Sequence, residues 1–249
     1  MAVSYLAVSM LLAAPHAPAA AVQDARPSSS DLDALYRDRD HAASAAAAER
    51  GWAARVAADP RDFDSAWRLA RARYWLGTNG PGDEDERKRV LEAGIEAGRL
   101  AAEARPDSPA GYFWMAANMG ALADAHGLRQ GMKYRGRIKD ALERALALDP
   151  SYLDGSPDRA LGRWYFKVPR LFGGDLRRSE EHLRKSLAYK SDSIITLLFL
   201  GETLLARDRR AEARDVLQRA VGATPDPEWA PEDARFQAEA RTLLASIRQ

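Results

Sequence analysis

Three of the four histidines, one acidic run and two clusters of aromatic and cationic residues are the parts of this 249-residue sequence that could do chemistry. His41, His126 and His182 are isolated, with no H-x-x-x-H or H-E-x-x-H spacing. A metal site needs several convergent ligands, so each is expected to be structural or solvated. The run Gly82-Asp83-Glu84-Asp85-Glu86 lacks the ligand spacing of an EF-hand loop. It opens a helix instead, where acidic side chains favour the positive end of the dipole. No Walker loop, Rossmann glycine fingerprint or G-x-S-x-G elbow occurs, and Gly173-Gly174-Asp175 reads as a turn followed by an N-cap. The absence of Cys excludes disulfides, thiolate zinc sites, cysteine nucleophiles and acylated cysteine anchors. The expectation is no catalytic residue, no metal, no cofactor, and hence no enzyme.

The aromatic residues leave a binding site as the remaining chemistry. Trp67, Tyr74, Trp75, Tyr112, Phe113, Trp114, Trp164, Tyr165 and Phe166 all fall on segments that read as helices. Neighbours on a helix cannot share one face. At least one residue of Tyr112-Phe113-Trp114 and one of Trp164-Tyr165-Phe166 must therefore point away from the local core. Arg163, Lys167 and Arg170 lie beside the second cluster. Cations among aromatics suit an acidic or amphipathic partner. The candidate ligand- or partner-binding residues are Arg163, Trp164, Phe166, Lys167, Arg170 and Phe172. The competing expectation is that Phe172 plugs a gap between helices while the cations are solvated.

The elements that position these residues follow from a repeat. Over 194–227, Leu197, Leu200, Gly201, Leu204, Ala213, Leu217, Ala220 and Pro225 occupy all eight signature positions of the 34-residue tetratricopeptide pattern without a gap. Gly201 and Ala213 let two helices approach closely, the leucines fill the space around them, and Pro225 helps end the second helix. Earlier units match in part. Trp67, Ala70, Tyr74, Gly94, Gly98 and Ala101 mark one, with a turn expected over Gly77–Gly82. Leu142, Ala145 and Pro150 mark the next, whose connection contains Gly127 and Gly131. Leu161-Gly162, Tyr165, Ser179, Leu183 and Ser186 mark the one interrupted by Lys167–Asp175. All three carry extra residues between their two helices, and such insertions map to one face of a solenoid.

The ends are different. Val3–Ala14 is apolar, too short to span a bilayer as a helix, and followed by Ala19-Ala20-Ala21, which fits a signal cleavage site. The chain therefore divides into a signal peptide at 1–21, a linker at 22–30 and a helical repeat domain at 31–249. Residues 31–58 read as one long Ala-rich helix, either half of a degenerate unit or a cap, and 231–247 as a capping helix. The expected fold is all-α, a solenoid of about four antiparallel helix pairs with terminal capping helices. A net charge of +1 argues against general nucleic-acid binding.

The segment Arg159-Ala160-Leu161-Gly162-Arg163-Trp164-Tyr165-Phe166-Lys167-Val168-Pro169 resembles a stretch of the periplasmic T-component proteins associated with TRAP transporters. It is also distantly similar to the eukaryotic regulators of microtubule dynamics. The T-component resemblance, over about 140–225, implies a helical scaffold with an apolar cavity and a solute-binding protein as partner. The expected function is an exported, periplasmic scaffold that binds a protein or peptide, within a transport or envelope assembly. The alternative is a carrier of small apolar or anionic ligands in a cavity between the helices. No transmembrane segment is expected in the mature chain.

Overall fold

The computed structural model describes residues 27–125 and 127–247, with the side chains of 127–130 outside the description. The expected signal peptide lies outside the described residues. Eleven α-helices follow among them: α1 (Ser29–Arg37), α2 (Ala42–Ala58), α3 (Phe63–Asn79), α4 (Glu84–Ala104), α5 (Pro109–Ala125), α6 (Gly127–Leu148), α7 (Tyr152–Lys167), α8 (Leu176–Tyr189), α9 (Ile194–Ala206), α10 (Arg210–Gly222) and α11 (Ala230–Ile247). Consecutive helices pack as antiparallel pairs. The first helix of each pair also packs on the first helix of the next, from α3 through α5, α7 and α9 to α11. This is the layered stack of a tetratricopeptide-like solenoid.

Small residues set the close contacts. A Cβ added at Gly98 would lie 2.7 Å from the backbone N and Cα of Met115, and one at Gly201 would lie 2.6 Å from Leu217 Cδ2. Leu197, Leu200, Leu204, Ala213, Leu217 and Ala220 are fully or almost fully buried, as the repeat register requires. In the less regular units Ala101, Leu142, Ala145, Ser179, Leu183 and Ser186 are buried too.

Three expectations change. Residues 31–58 form two helices, not one. The chain breaks at Asp38–His41, where Ser44 Oγ (2.6 Å) and His41 Nδ1 (2.8 Å) hold the Asp38 carboxylate. The serines of the expected linker start the first helix: Ser28 and Asp31 form a reciprocal capping box. Two of the three insertions become helix length rather than loop. Gly77 does not turn the chain but faces Leu91, whose Cγ would be 2.5 Å from an added Cβ, so α3 continues to Asn79. The acidic run then caps α4, with Asp83 and Glu86 reciprocally bonded. Only the insertion between α7 and α8 stays irregular.

The stack bends until its ends meet. Arg39, in the turn after α1, is 1% exposed. Its Nε donates to Glu232 Oε1 of α11 (3.0 Å), and its Nη2 donates to Glu232 Oε2 (2.5 Å) and the Glu228 carbonyl (2.5 Å). The rings of Tyr36, Trp75 and Trp229 surround the guanidinium at 5.0, 5.2 and 5.7 Å. Arg71 of α3 reaches Glu228 at 3.8 Å, and Arg235 of α11 donates to Asn79 Oδ1 at 2.7 Å. Burial pushes the Glu232 carboxyl above its ordinary value, against the pull of Arg39.

This packing makes two changes costly. Gly98→Ala should destabilise the fold by about 1–3 kcal/mol through overpacking, read by urea melts. Arg39→Met should cost roughly 3–5 kcal/mol, because it strands a buried carboxylate, and the double variant Arg39→Met/Glu232→Met should recover most of that. A carboxyl whose folded pKa is raised supports the fold at low pH and loses that contribution as pH rises through the folded value. The single variant's deficit should therefore shrink in acid, and melts of both variants across pH would show it.

Candidate functional site

Bending forms a half-open chamber of about 930 Å³ between the first-helix layer and α11. That volume falls in the range of small-molecule and peptide-anchor pockets. Its walls are aromatic where the sequence clusters them. Tyr74, Phe113, Trp114 and Trp164 line one side, and Trp229 and Phe236 line the other from α11 and the chain leading into it. Tyr74 and Trp114 pack with centroids 5.8 Å apart, and Phe113 meets Trp114 edge-on at 5.2 Å. Ala116, Ala117, Gly120, Ala121 and Ala160 leave the room. The helical triplets divide as their geometry demands. Tyr112 turns outward, its hydroxyl towards the Pro106 carbonyl, and Phe166 turns outward beneath Arg163. Their neighbours Phe113, Trp114, Trp164 and Tyr165 are buried.

Most cations at the chamber are neutralised. Lys167 faces Asp124 at 3.6 Å, Lys190 bridges Asp226 and Asp154, and Arg235 meets Glu239 at 3.7 Å. Arg163 pairs with Glu202 at 2.5 Å and sits against the Phe199 ring, tying α7 to α9. Arg159 differs. It donates to Ser156 Oγ, and among the described residues no carboxylate lies within ion-pair distance of it. Desolvation pushes its guanidinium down to about 10. A desolvated cation facing an aromatic cavity favours an anionic group that enters with apolar atoms.

The first turn of α7 adds strain beside Arg159. Leu153, Asp154 and Gly155 are all left-handed, with φ of 46°, 57° and 75°. Non-glycine residues rarely adopt this conformation, and such strain gathers at binding sites. Leu153 and Asp154 both face the chamber.

The structure splits the six candidate residues between two places. Arg163, Trp164 and Lys167 line the chamber. Phe166 is half-buried outside it. Arg170 and Phe172 stand exposed on a 3-10 turn, Arg170–Phe172, in the irregular insertion. Phe172 does not plug a gap between helices; it is 39% exposed beneath the Arg135 guanidinium, 5.4 Å away. The turn is closed by Phe172 N–H and Gly174 N–H donating to the Pro169 carbonyl, at 2.8 and 3.2 Å. Gly173 has φ 103°, and a Cβ at Gly174 would collide with the Val168 carbonyl. Asp175 caps α8 as its position implies, accepting from Arg177 N and Arg178 N.

Sequence reasoning passed over Arg159, Trp229 and Phe236. Arg159 carried a signal, since it lies four residues before Arg163 and so on the same face of α7. Trp229 and Phe236 carried none, because only the long-range bend brings α11 across the chamber.

Asp38, Asp40 and His41 lie close together but are exposed, and Asp38 and His41 serve the turn. His182 stacks on Tyr165 and meets the buried Asp158 at 2.7 Å, a structural role.

The comparisons with known proteins agree with this architecture. Residues 30–172 match the family model "Regulator of microtubule dynamics protein 1-3", and residues 173–247 match a tetratricopeptide repeat model. The chain is 28% identical over 197 residues to regulator of microtubule dynamics protein 1 of Caenorhabditis elegans, covering 73% of this chain and 84% of that protein. It is 25% identical to the Mus musculus protein of the same name, covering 76% of this chain and 66% of that one. The fold is similar to that of a thermophilic TPR protein of Thermus thermophilus, with a TM-score of 0.63 and 21% identity over 87% of this chain and 98% of that one. The T-component resemblance finds no support among these matches, and the family match begins far upstream of the stretch that suggested it. A chain built of tetratricopeptide-like pairs, matched over 30–172 by the family model, belongs to the family of regulators of microtubule dynamics proteins 1-3.

Proposed function

We propose that the chain is a non-enzymatic scaffold that holds a segment of a protein or peptide partner in the chamber. The observation that carries this reading is Arg159, a desolvated guanidinium with no carboxylate at ion-pair distance among the described residues, in a cavity walled by Tyr74, Phe113, Trp114 and Trp164. The partner segment presents an acidic group next to apolar side chains. The name of the relatives describes an effect on microtubules; what carries over to this chain is the binding role of the repeats.

A second reading is favoured by the roof that α11 places over the chamber. An open solenoid groove admits a long peptide, whereas a roofed chamber suits a small apolar or anionic molecule, with Arg159 fixing its charged end. Native mass spectrometry of the purified chain separates the two. A co-purified small mass supports the carrier, and an empty chain that captures acidic, apolar peptides from a display library supports the scaffold. Arg159→Met should weaken either occupant by about 10–100-fold, the worth of a charge-assisted hydrogen bond. It should leave the melting temperature unchanged or higher, since it removes a desolvated charge. Unaltered binding by this variant would remove the chamber from the function.

Export remains a proposal on the sequence of Val3–Ala14. N-terminal sequencing of exported material should find a start near Ala20–Val22, and an intact Met1 in a cytoplasmic fraction would overturn it.

A further inference from the structure

Three large apolar side chains stand exposed among the described residues, and two are neighbours on the turn between α7 and α8. Leu171 is 87% exposed and Phe172 39%. The turn is not a loose loop. Phe172, Gly173 and Gly174 N–H donate to the Pro169 and Arg170 carbonyls within the turn, and these bonds hold Leu171 outward.

Around this apolar tip the charge is one-sided. Residues 133–139 carry Lys133, Arg135, Arg137 and Lys139, of which Lys139 pairs with Glu143 at 3.1 Å. Residues 163–178 carry Arg163, Lys167, Arg170, Arg177 and Arg178 with Asp175. Arg163 and Lys167 pair with Glu202 and Asp124, which leaves Arg170, Arg177 and Arg178 outside any ion pair among the described residues. The two segments meet: Trp164 Nε1 donates to the Arg135 carbonyl at 3.0 Å, and the Arg135 guanidinium lies over Phe172. Asp175 is engaged as the N-cap of α8. Lys133, Arg137, Arg170 and Arg177 are exposed, and among the described residues none of them has a carboxylate within ion-pair distance.

We propose that the turn Pro169–Gly173, with the cations of α6 and α8 beside it, docks this protein peripherally on an anionic lipid surface, with Leu171 and Phe172 entering the headgroup layer. A lipid surface fits better than an acidic protein. A protein interface needs a packed apolar patch with shape complementarity, and Leu171 has only Phe172 beside it among long cationic arms. A bilayer accepts a lone apolar wedge, while Arg and Lys extend to the phosphates around it. No helix among the described residues is long and apolar enough to cross a membrane, so the contact is interfacial. This inference does not depend on what occupies the chamber.

The test is flotation of the purified protein with vesicles of phosphatidylcholine alone and of phosphatidylcholine mixed with phosphatidylserine. Binding is expected only to the mixed vesicles and should fall at high salt. Leu171→Ser and the charge reversal Arg170→Glu/Arg177→Glu should each reduce binding, the latter by at least about fivefold for each cation lost. Arg241→Glu, an exposed change on α11, should reduce it less. Leu171→Trp should keep binding and shift its emission to the blue on mixed vesicles. Circular dichroism should be unchanged throughout, since all these side chains are exposed. Equal flotation with both vesicle types, or full binding by Leu171→Ser or the charge reversal, overturns the proposal. So does loss of an acidic protein partner from the tip variants while the wild-type chain ignores the vesicles.

Discussion

The bidentate contact of Arg39 with Glu232 sets the shape from which the rest of the molecule takes its meaning. A guanidinium buried to this degree survives only with its charge matched and its donors used, and three aromatic rings plus a carboxylate and a carbonyl do both. The groups that meet there lie 193 residues apart. Helical repeats stack by nearest-neighbour contacts, and nothing in that rule requires the last helix to see the first. Here it does. Without this tie α11 would cap α9 and α10 alone, and the aromatic wall of the first-helix layer would face solvent instead of Trp229 and Phe236.

The apolar core runs in two stretches, one from α1 to α7 and one from α8 to α11. Between α8 and α9 the packing is partly polar. Ser179 meets Thr203 at 3.0 Å, Ser186 meets Thr196 at 3.4 Å, and the buried Glu180 of α8 accepts from Arg207 and Arg209 just after α9. Satisfied polar contacts of this kind fix register at little net gain in stability. This seam lies next to the irregular turn between α7 and α8, so the insertion is anchored on both sides by directional bonds.

The fold was legible in the sequence because its local rules are strong. Gly201, Ala213 and Leu217 report the closeness of two helices directly, and Asp83 and Asp175 mark helix starts. Gly77 misled because a small residue serves a turn and a helix contact equally well; only Leu91 opposite it decides. The break at Asp38–His41 lies just before the Ala-rich run that begins at Ala42; Asp and His are weak helix formers, and the run after them masked the break. The candidate site was half legible. The structure brings Arg163, Trp164 and Lys167 to the chamber, and the division of the six residues between chamber and outer turn depends on which face of α7 each takes. Arg163 read as a free cation only because Glu202, 39 residues away, cannot be paired with it from sequence.

The tie between Arg39 and Glu232 also governs how the chain can change over evolutionary time. Solenoids commonly grow or shrink by duplicating or deleting a repeat, since each unit needs only its neighbours. In this chain one more unit of about 34 residues would carry α11 past the Arg39 pocket, and one fewer would leave it short. Either event would expose a buried guanidinium and open the chamber at once. The number of helix pairs is therefore tied to the contacts that join the two ends, with the Arg39–Glu232 pair at their centre, and a loop such as the one bearing Leu171 can lengthen without disturbing the count.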